Sequence, residues 1–156
     1  MARLKFEQLI AAEPALVAAF FVPQRMPYWY GYEMKAEFEV LGGASDFAAG
    51  QKVRISGRLG SREVGLTAVI TRYEFGHALE WQFQDTYGVK GTQAWEIALS
   101  APARQAATIV YMRDAYEMPG RFAQFVDAIF TRHAVARRDR SWLMRLQRLG
   151  ERRGPS

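Results

Sequence analysis

Residues 108–126 read TIVYMRDAYEMPGRFAQFV, and a change of period inside that stretch decides the fold. Up to Met118 the chain alternates: Val110, Met112, Asp114 and Tyr116 share one side of an extended backbone, and Tyr111, Arg113 and Glu117 share the other. A period of two belongs to a strand. Pro119-Gly120 then ends it, since proline brings no ladder donor and glycine accepts a turn. Beyond the turn Phe122, Phe125, Val126, Ile129, Phe130 and His133 recur every three or four residues, which is helical spacing. The pattern predicts a last strand followed by a long helix reaching about Glu151. Arg137-Arg138-Asp139-Arg140 interrupts the apolar stripe before it resumes at Leu143, Leu146 and Leu149, so the last turns are expected to bend or project past the sheet.

Upstream, the period of two recurs. Val89 to Leu99 forms a run, and Leu79, Trp81 and Phe83 alternate before it. Val64, Leu66, Ala68 and Ile70 precede these, then Val53, Ile55, Gly57 and Leu59, then Met34, Ala36, Phe38 and Val40. Gly42-Gly43 separates the two earliest of these runs, and a turn containing Pro102 separates the two latest. Arg3 to Ile10 adds a weaker first strand. Seven strands result, six of them consecutive, and short connections favour an antiparallel meander. Glu13-Pro14 opens a short helix to about Phe21, proline being tolerated in a first helical turn. Residues 27–31 form an aromatic turn or second short helix. Strands with one wet face need a cover, and the long C-terminal helix is the main one available. A helix laid across a curved sheet leaves a gap where the strands splay, and an apolar gap is a small-molecule site.

Composition narrows the function. The 156 residues are 49% hydrophobic and 13% aromatic, enough for one globular domain, expected over 1–151 with a basic tail at 152–156. There is no cysteine, hence no disulfide, thiol nucleophile or cysteine-held zinc. The longest apolar run, Ala15 to Val22, is too short to span a bilayer and lacks a basic leader, so a cytoplasmic location is expected. Net charge is +5, but eight arginines against Asp139 and Glu151 make the segment from Thr131 onward +6 by itself. Either that is a solvated helix face, or it makes weak contact with an anionic membrane or an acidic protein. Only Trp142 interleaves with these arginines, so specific nucleic-acid binding is not expected. His77 lies in a tight turn and His133 on the apolar helix face. Two histidines in separate elements are a poor metal signal, and no metal is expected. His133 is expected to be a satisfied core residue. No glycine-rich loop joins a strand to a helix, and no serine has a histidine partner, so no cofactor is expected either.

The order of these signals resembles the SRPBCC superfamily: START domains, birch-pollen-allergen-like and polyketide cyclase/dehydrase-like proteins of helix-grip fold. The resemblance rests on Glu13-Pro14, Trp29, Gly50, Leu79-Glu80-Trp81, 107–110, Tyr116 to Gly120 and 146–149, and covers roughly residues 4–151. It implies an α+β helix-grip domain: a seven-stranded curved antiparallel sheet wraps a long C-terminal helix, with two short helices near the N-terminus. Members bind sterols, phospholipids, hormones, quinones or polyketides, and a minority catalyse cyclisation or dehydration. No cyclase-like set of histidine with carboxylates is present to carry over.

Alternation points Trp81 and Phe83 inward, with Gln93, Trp95 and Ile97 on the next strand. If the last strand resembles the family in register, Val110, Met112, Asp114 and Tyr116 also face in. The helix offers Phe122, Phe125, Ile129 and Phe130. The expected ligand-binding set is Trp81, Phe83, Gln93, Trp95, Met112, Asp114, Tyr116, Phe122, Phe125 and Ile129. Aromatic walls suit a flat or polyenic apolar molecule such as a lipid, quinone or polyketide. An inward carboxylate must be hydrogen-bonded, hydrated or protonated, which makes Asp114, with Tyr116, the candidate acid–base pair of a cyclase or dehydratase. A register slip of one residue would instead make Asp114 a surface acid paired with Arg113 or another arginine. Binding or carriage of a hydrophobic molecule is the leading expectation, ahead of catalysis and of docking through the arginine-rich helix.

Overall fold

The structure, a computed structural model, describes residues 1–100, 107–127 and 131–152. Strand β1 (Ala2–Ile10) leads to helix α1 (Pro14–Ala18) and two 3-10 turns, Met26–Tyr28 and Tyr32–Met34. Then come β2 (Glu37–Val40), β3 (Lys52–Leu59), β4 (Arg62–Glu74), β5 (Ala78–Asp85), β6 (Lys90–Leu99) and β7 (Thr108–Glu117). Helices α2 (Arg121–Val126) and α3 (Arg132–Arg152) follow. All seven strands form one antiparallel sheet in the order β1-β7-β6-β5-β4-β3-β2. The meander and the helix-grip architecture are as the sequence predicts, with β1 added beside β7. The turn containing Pro102 lies outside the described residues.

Register places the inward row where alternation put it. Trp81 pairs with Gln93, Gln93 with Asp114, and Trp95 with Met112, and all five side chains are buried. Asp114 therefore faces the core and not solvent. A shift of register in β4 between Ile70 and Arg72 adds bend to the longest strand. At Gly91 a Cβ would stand 1.9 Å from the Ala115 carbonyl oxygen, so β6 and β7 approach more closely there than any side chain permits.

The first short strand is later than expected. Met34 belongs to a 3-10 turn, and Lys35 is left-handed at φ 51°, so β2 starts only at Glu37.

The helical stripe is the larger correction. Phe122 is 81% and Phe125 63% exposed, and His133 is exposed too. The residues of α3 that face the sheet are Val135, Asp139, Trp142, Leu143, Leu146 and Gly150. Phe122 and Phe125 stand on the separate short helix α2, and on α3 itself His133 lies about a third of a turn from the buried set. Of the expected stripe, Leu143 and Leu146 are the members buried with Trp142 on the side that meets the sheet. The charged run does not interrupt α3, nor do the last turns project away. Gly150 is buried, and a Cβ there would be 3.1 Å from Ile10.

Aromatic packing fills one end of the space under α3. Trp81 and Trp95 lie 5.0 Å apart, Phe21 and Trp29 5.0 Å, and Tyr30 and Trp81 5.5 Å, mostly edge to face or tilted, as ring quadrupoles prefer.

Candidate functional site

At the other end of α3 the space is not filled. A cavity of about 270 Å³ lies between the sheet and the helix. Its walls are Met34, Leu66, Phe83, Val89, Met118 and Val135, and its polar lining includes Tyr30, Gln93, Asp114, Tyr116 and Arg138. Glu33, Val64, Gly65, Asp85 and Thr86 border both this cavity and a wide outer groove, so they mark its mouth.

Of the expected ligand-binding residues, Phe83, Gln93, Asp114 and Tyr116 line the cavity. Trp81, Trp95 and Met112 are fully buried but pack in the aromatic core and do not line it. Phe122 and Phe125 are exposed on the short helix α2, which buries none of its residues. Ile129 and Phe130 lie outside the described residues.

The polar side of the cavity is a connected row. Gln93 Oε1 accepts from Tyr30 Oη at 2.7 Å and Trp81 Nε1 at 3.0 Å. Two donors on one oxygen fix the amide, so its nitrogen faces Asp114 Oδ2, 3.4 Å away. Arg138 Nη2 reaches the same oxygen at 3.3 Å and Asp139 Oδ1 at 3.1 Å, and its Nε reaches Asp139 Oδ1 at 3.2 Å. The guanidinium also lies over the Trp142 ring, 4.4 Å from its centroid, a stacking that suits arginine's flat cation. Trp142 Nε1 in turn donates to Glu33 Oε2 at 2.8 Å.

Asp139 is completely buried. Burial, and next a hydrogen bond to Asp114, push its carboxyl up to about 9 against the opposing pull of Arg138. Two buried carboxyl oxygens have no donor among the described residues, Asp114 Oδ1 and Asp139 Oδ2. A proton carried by Asp139 and hydrogen-bonded to Asp114 accounts for both, and removes one of two charges that burial would otherwise penalise.

Tyr116 is held differently. Its hydroxyl donates to Asp127 Oδ1 at 2.6 Å, and Asp127 lies 3.7 Å from Arg132. Burial, then the Asp127 bond, drives the phenol well above its ordinary range. Asp114 and Tyr116 share one wall, yet the tyrosine proton is engaged with Asp127 and not with Asp114.

Tyr30, Arg138 and Asp139 are absent from the expected set. The tyrosine sits in a turn whose aromatics were assigned to no face. Arg138 and Asp139 stand in the run 137–140, which composition marks as a wet surface. Helical spacing carried a signal, since Val135, Asp139, Trp142 and Leu146 recur every three or four residues.

On the outer face of α3, His133, Arg137, Arg140, Arg145 and Arg148 line a groove of about 620 Å³ with Tyr32 and Met144, and no carboxylate among the described residues lines it. No helix among the described residues is long and apolar enough to cross a membrane.

Neither a protein-family profile nor a curated protein sequence matches the chain. Solved structures do resemble it. A protein from Arthrobacter aurescens shares 16% identity at a TM-score of 0.70, over 96% of this chain and 86% of that one. CV1439 from Chromobacterium violaceum shares 15% identity at 0.67 over the whole of both chains. DynU16, a protein of the dynemicin biosynthetic locus, shares 16% identity at 0.65 over 94% of this chain, which spans only 46% of DynU16. At such identities the likeness is one of fold, and that fold is the helix-grip arrangement seen here.

Proposed function

We propose that this chain binds a compact hydrophobic small molecule in the cavity between the sheet and α3. The observation that carries the proposal is an apolar chamber of about 270 Å³ ending on the Gln93–Asp114–Arg138 row. An apolar cavity of about 150 Å³ suffices for benzene, so this one suits a molecule of about two fused rings or a short branched chain. The likeness in fold to DynU16, a protein of the dynemicin biosynthetic locus, is compatible with ligand binding. Native mass spectrometry of the protein from its own host is expected to show a co-purifying molecule of that size. Val135→Trp, which fills the chamber from α3, is expected to expel it and to abolish binding of a fluorescent naphthalene probe. Equal probe binding by that variant would place the ligand elsewhere.

A second reading rests on the outer groove of α3, where four arginines and a histidine meet no carboxylate among the described residues. We infer that this face docks weakly on an anionic bilayer. Binding to phosphatidylserine vesicles is expected to fall steeply between low and physiological salt. Salt-independent binding, or none, would remove it.

A further inference from the structure

We infer that the cavity selects a neutral ligand bearing a carbonyl oxygen, which accepts a hydrogen bond from Arg138 Nη1; this rests on the cavity being a ligand site. The guanidinium is committed on two sides. Nε and Nη2 serve Asp139 and Asp114, and the flat face stacks on Trp142. Nη1 has no partner among the described residues, and it is not one of the buried unpartnered atoms. The side chain lines the cavity and is 38% accessible. One donor nitrogen with two N–H groups therefore remains, in a plane held by three neighbours.

The other donors are spent, and the carboxylate oxygens are occupied. Asp114 Oδ2 already receives Gln93 and Arg138, and Oδ1 faces the Asp139 carboxyl group. Tyr30 Oη and Trp81 Nε1 are spent on Gln93, and Tyr116 Oη on Asp127. A ligand cation would be repelled by the Arg138 guanidinium and would find only phenol lone pairs at the inner end. An anion fares no better, because the Arg138–Asp114 ion pair leaves the inner end without net charge. A carboxylate would bury an uncompensated charge against an apolar wall. Glu33 and Asp85 at the mouth add two further carboxylates in its path. A carbonyl brings two lone pairs and no charge, which matches what is left.

Four naphthalenes of nearly equal size separate these cases: 2-acetylnaphthalene, 2-ethylnaphthalene, 2-naphthoate and 2-(aminomethyl)naphthalene, titrated at pH 7 by calorimetry or tryptophan fluorescence. The ketone is expected to bind about tenfold or more tightly than the hydrocarbon, as a hydrogen bond from a charged donor permits. The carboxylate and the ammonium are expected to bind more weakly than the hydrocarbon. In Arg138→Met the ketone and hydrocarbon should bind alike. Should that variant fail to fold, Arg138→Lys keeps the charge beside Asp114 without a leftover planar nitrogen, and most of the tenfold preference is expected to vanish. If all four bind equally, or the carboxylate binds best, this inference falls while the cavity remains a ligand site. Retention of the ketone preference in a folded Arg138 variant also overturns it. If none of the four binds, the ligand site and this inference fall together.

Discussion

The two ends of α3 cover the same face of the same sheet and treat it in opposite ways. Toward its C-terminus, Gly150 lies against Ile10 and Val17, and Leu143 and Leu146 are buried in the same apolar cluster as Trp81 and Trp95. Toward its N-terminus, Val135 faces Phe83 across a cavity whose inner end is closed by the contact of Arg138 with Asp114. The closed end draws its stability from apolar area and ring contacts. The open end gives some of that up and holds its polar groups by mutual hydrogen bonds. One face can therefore anchor the helix at one end and leave room at the other.

The sharpest way to break that contrast is to delete mass at each end. Trp81→Ala removes a fully buried indole from the closed end and is expected to cost about 3–5 kcal/mol by chemical denaturation. Phe83→Ala, on a wall that already has space beside it, should cost clearly less. Comparable losses would mean that the cavity is not there. Next in size is Gly91→Ala. Its Cβ would collide with backbone of β7, and the expected loss is about 2–3 kcal/mol.

Asp139→Asn tests the open end with the opposite sign. The folded protein holds a proton on Asp139 that the unfolded chain releases above its ordinary value of 3.8. That contribution is complete below about pH 4 and is lost as pH rises through about 9, at no more than about 1.4 kcal/mol per pH unit. Asparagine needs no proton, so the variant should match the parent near pH 4 and exceed it by about 2 kcal/mol at pH 7. A parallel pair of stability–pH curves would show that Asp139 is not protonated in the fold. The smallest effect belongs to Phe122→Ser, exposed and outside the cavity. It is expected to change stability by less than about 0.5 kcal/mol and to leave probe binding unchanged.

The strands and their pairing were legible because alternation in five consecutive runs allowed one register that hides Trp81, Trp95 and Met112 together. The same logic brought Gln93, Asp114 and Tyr116 to the inner face. The helix was harder. Leu143 and Leu146 of the expected stripe are buried, but Phe122 and Phe125, on the separate helix α2, and His133 stay outside. Asp139 was hidden by its own neighbours: flanked by three arginines, an acid looks solvated, and only its spacing from Val135 and Trp142 betrays it. Met34 failed for a local reason, since a left-handed Lys35 cannot be read from an alternating pattern.

The fixed amide of Gln93 gives the buried polar row a sense of travel. The Tyr30 hydroxyl and the Trp81 N–H point to Gln93, and the Gln93 amide N–H points on to Asp114. Negative potential is thereby gathered at one carboxylate under the arginine instead of being spread along the strand. A glutamate in place of Gln93 would set acceptor against acceptor at that junction, so this position tolerates an amide but not its acid, though the two differ by a single atom exchange.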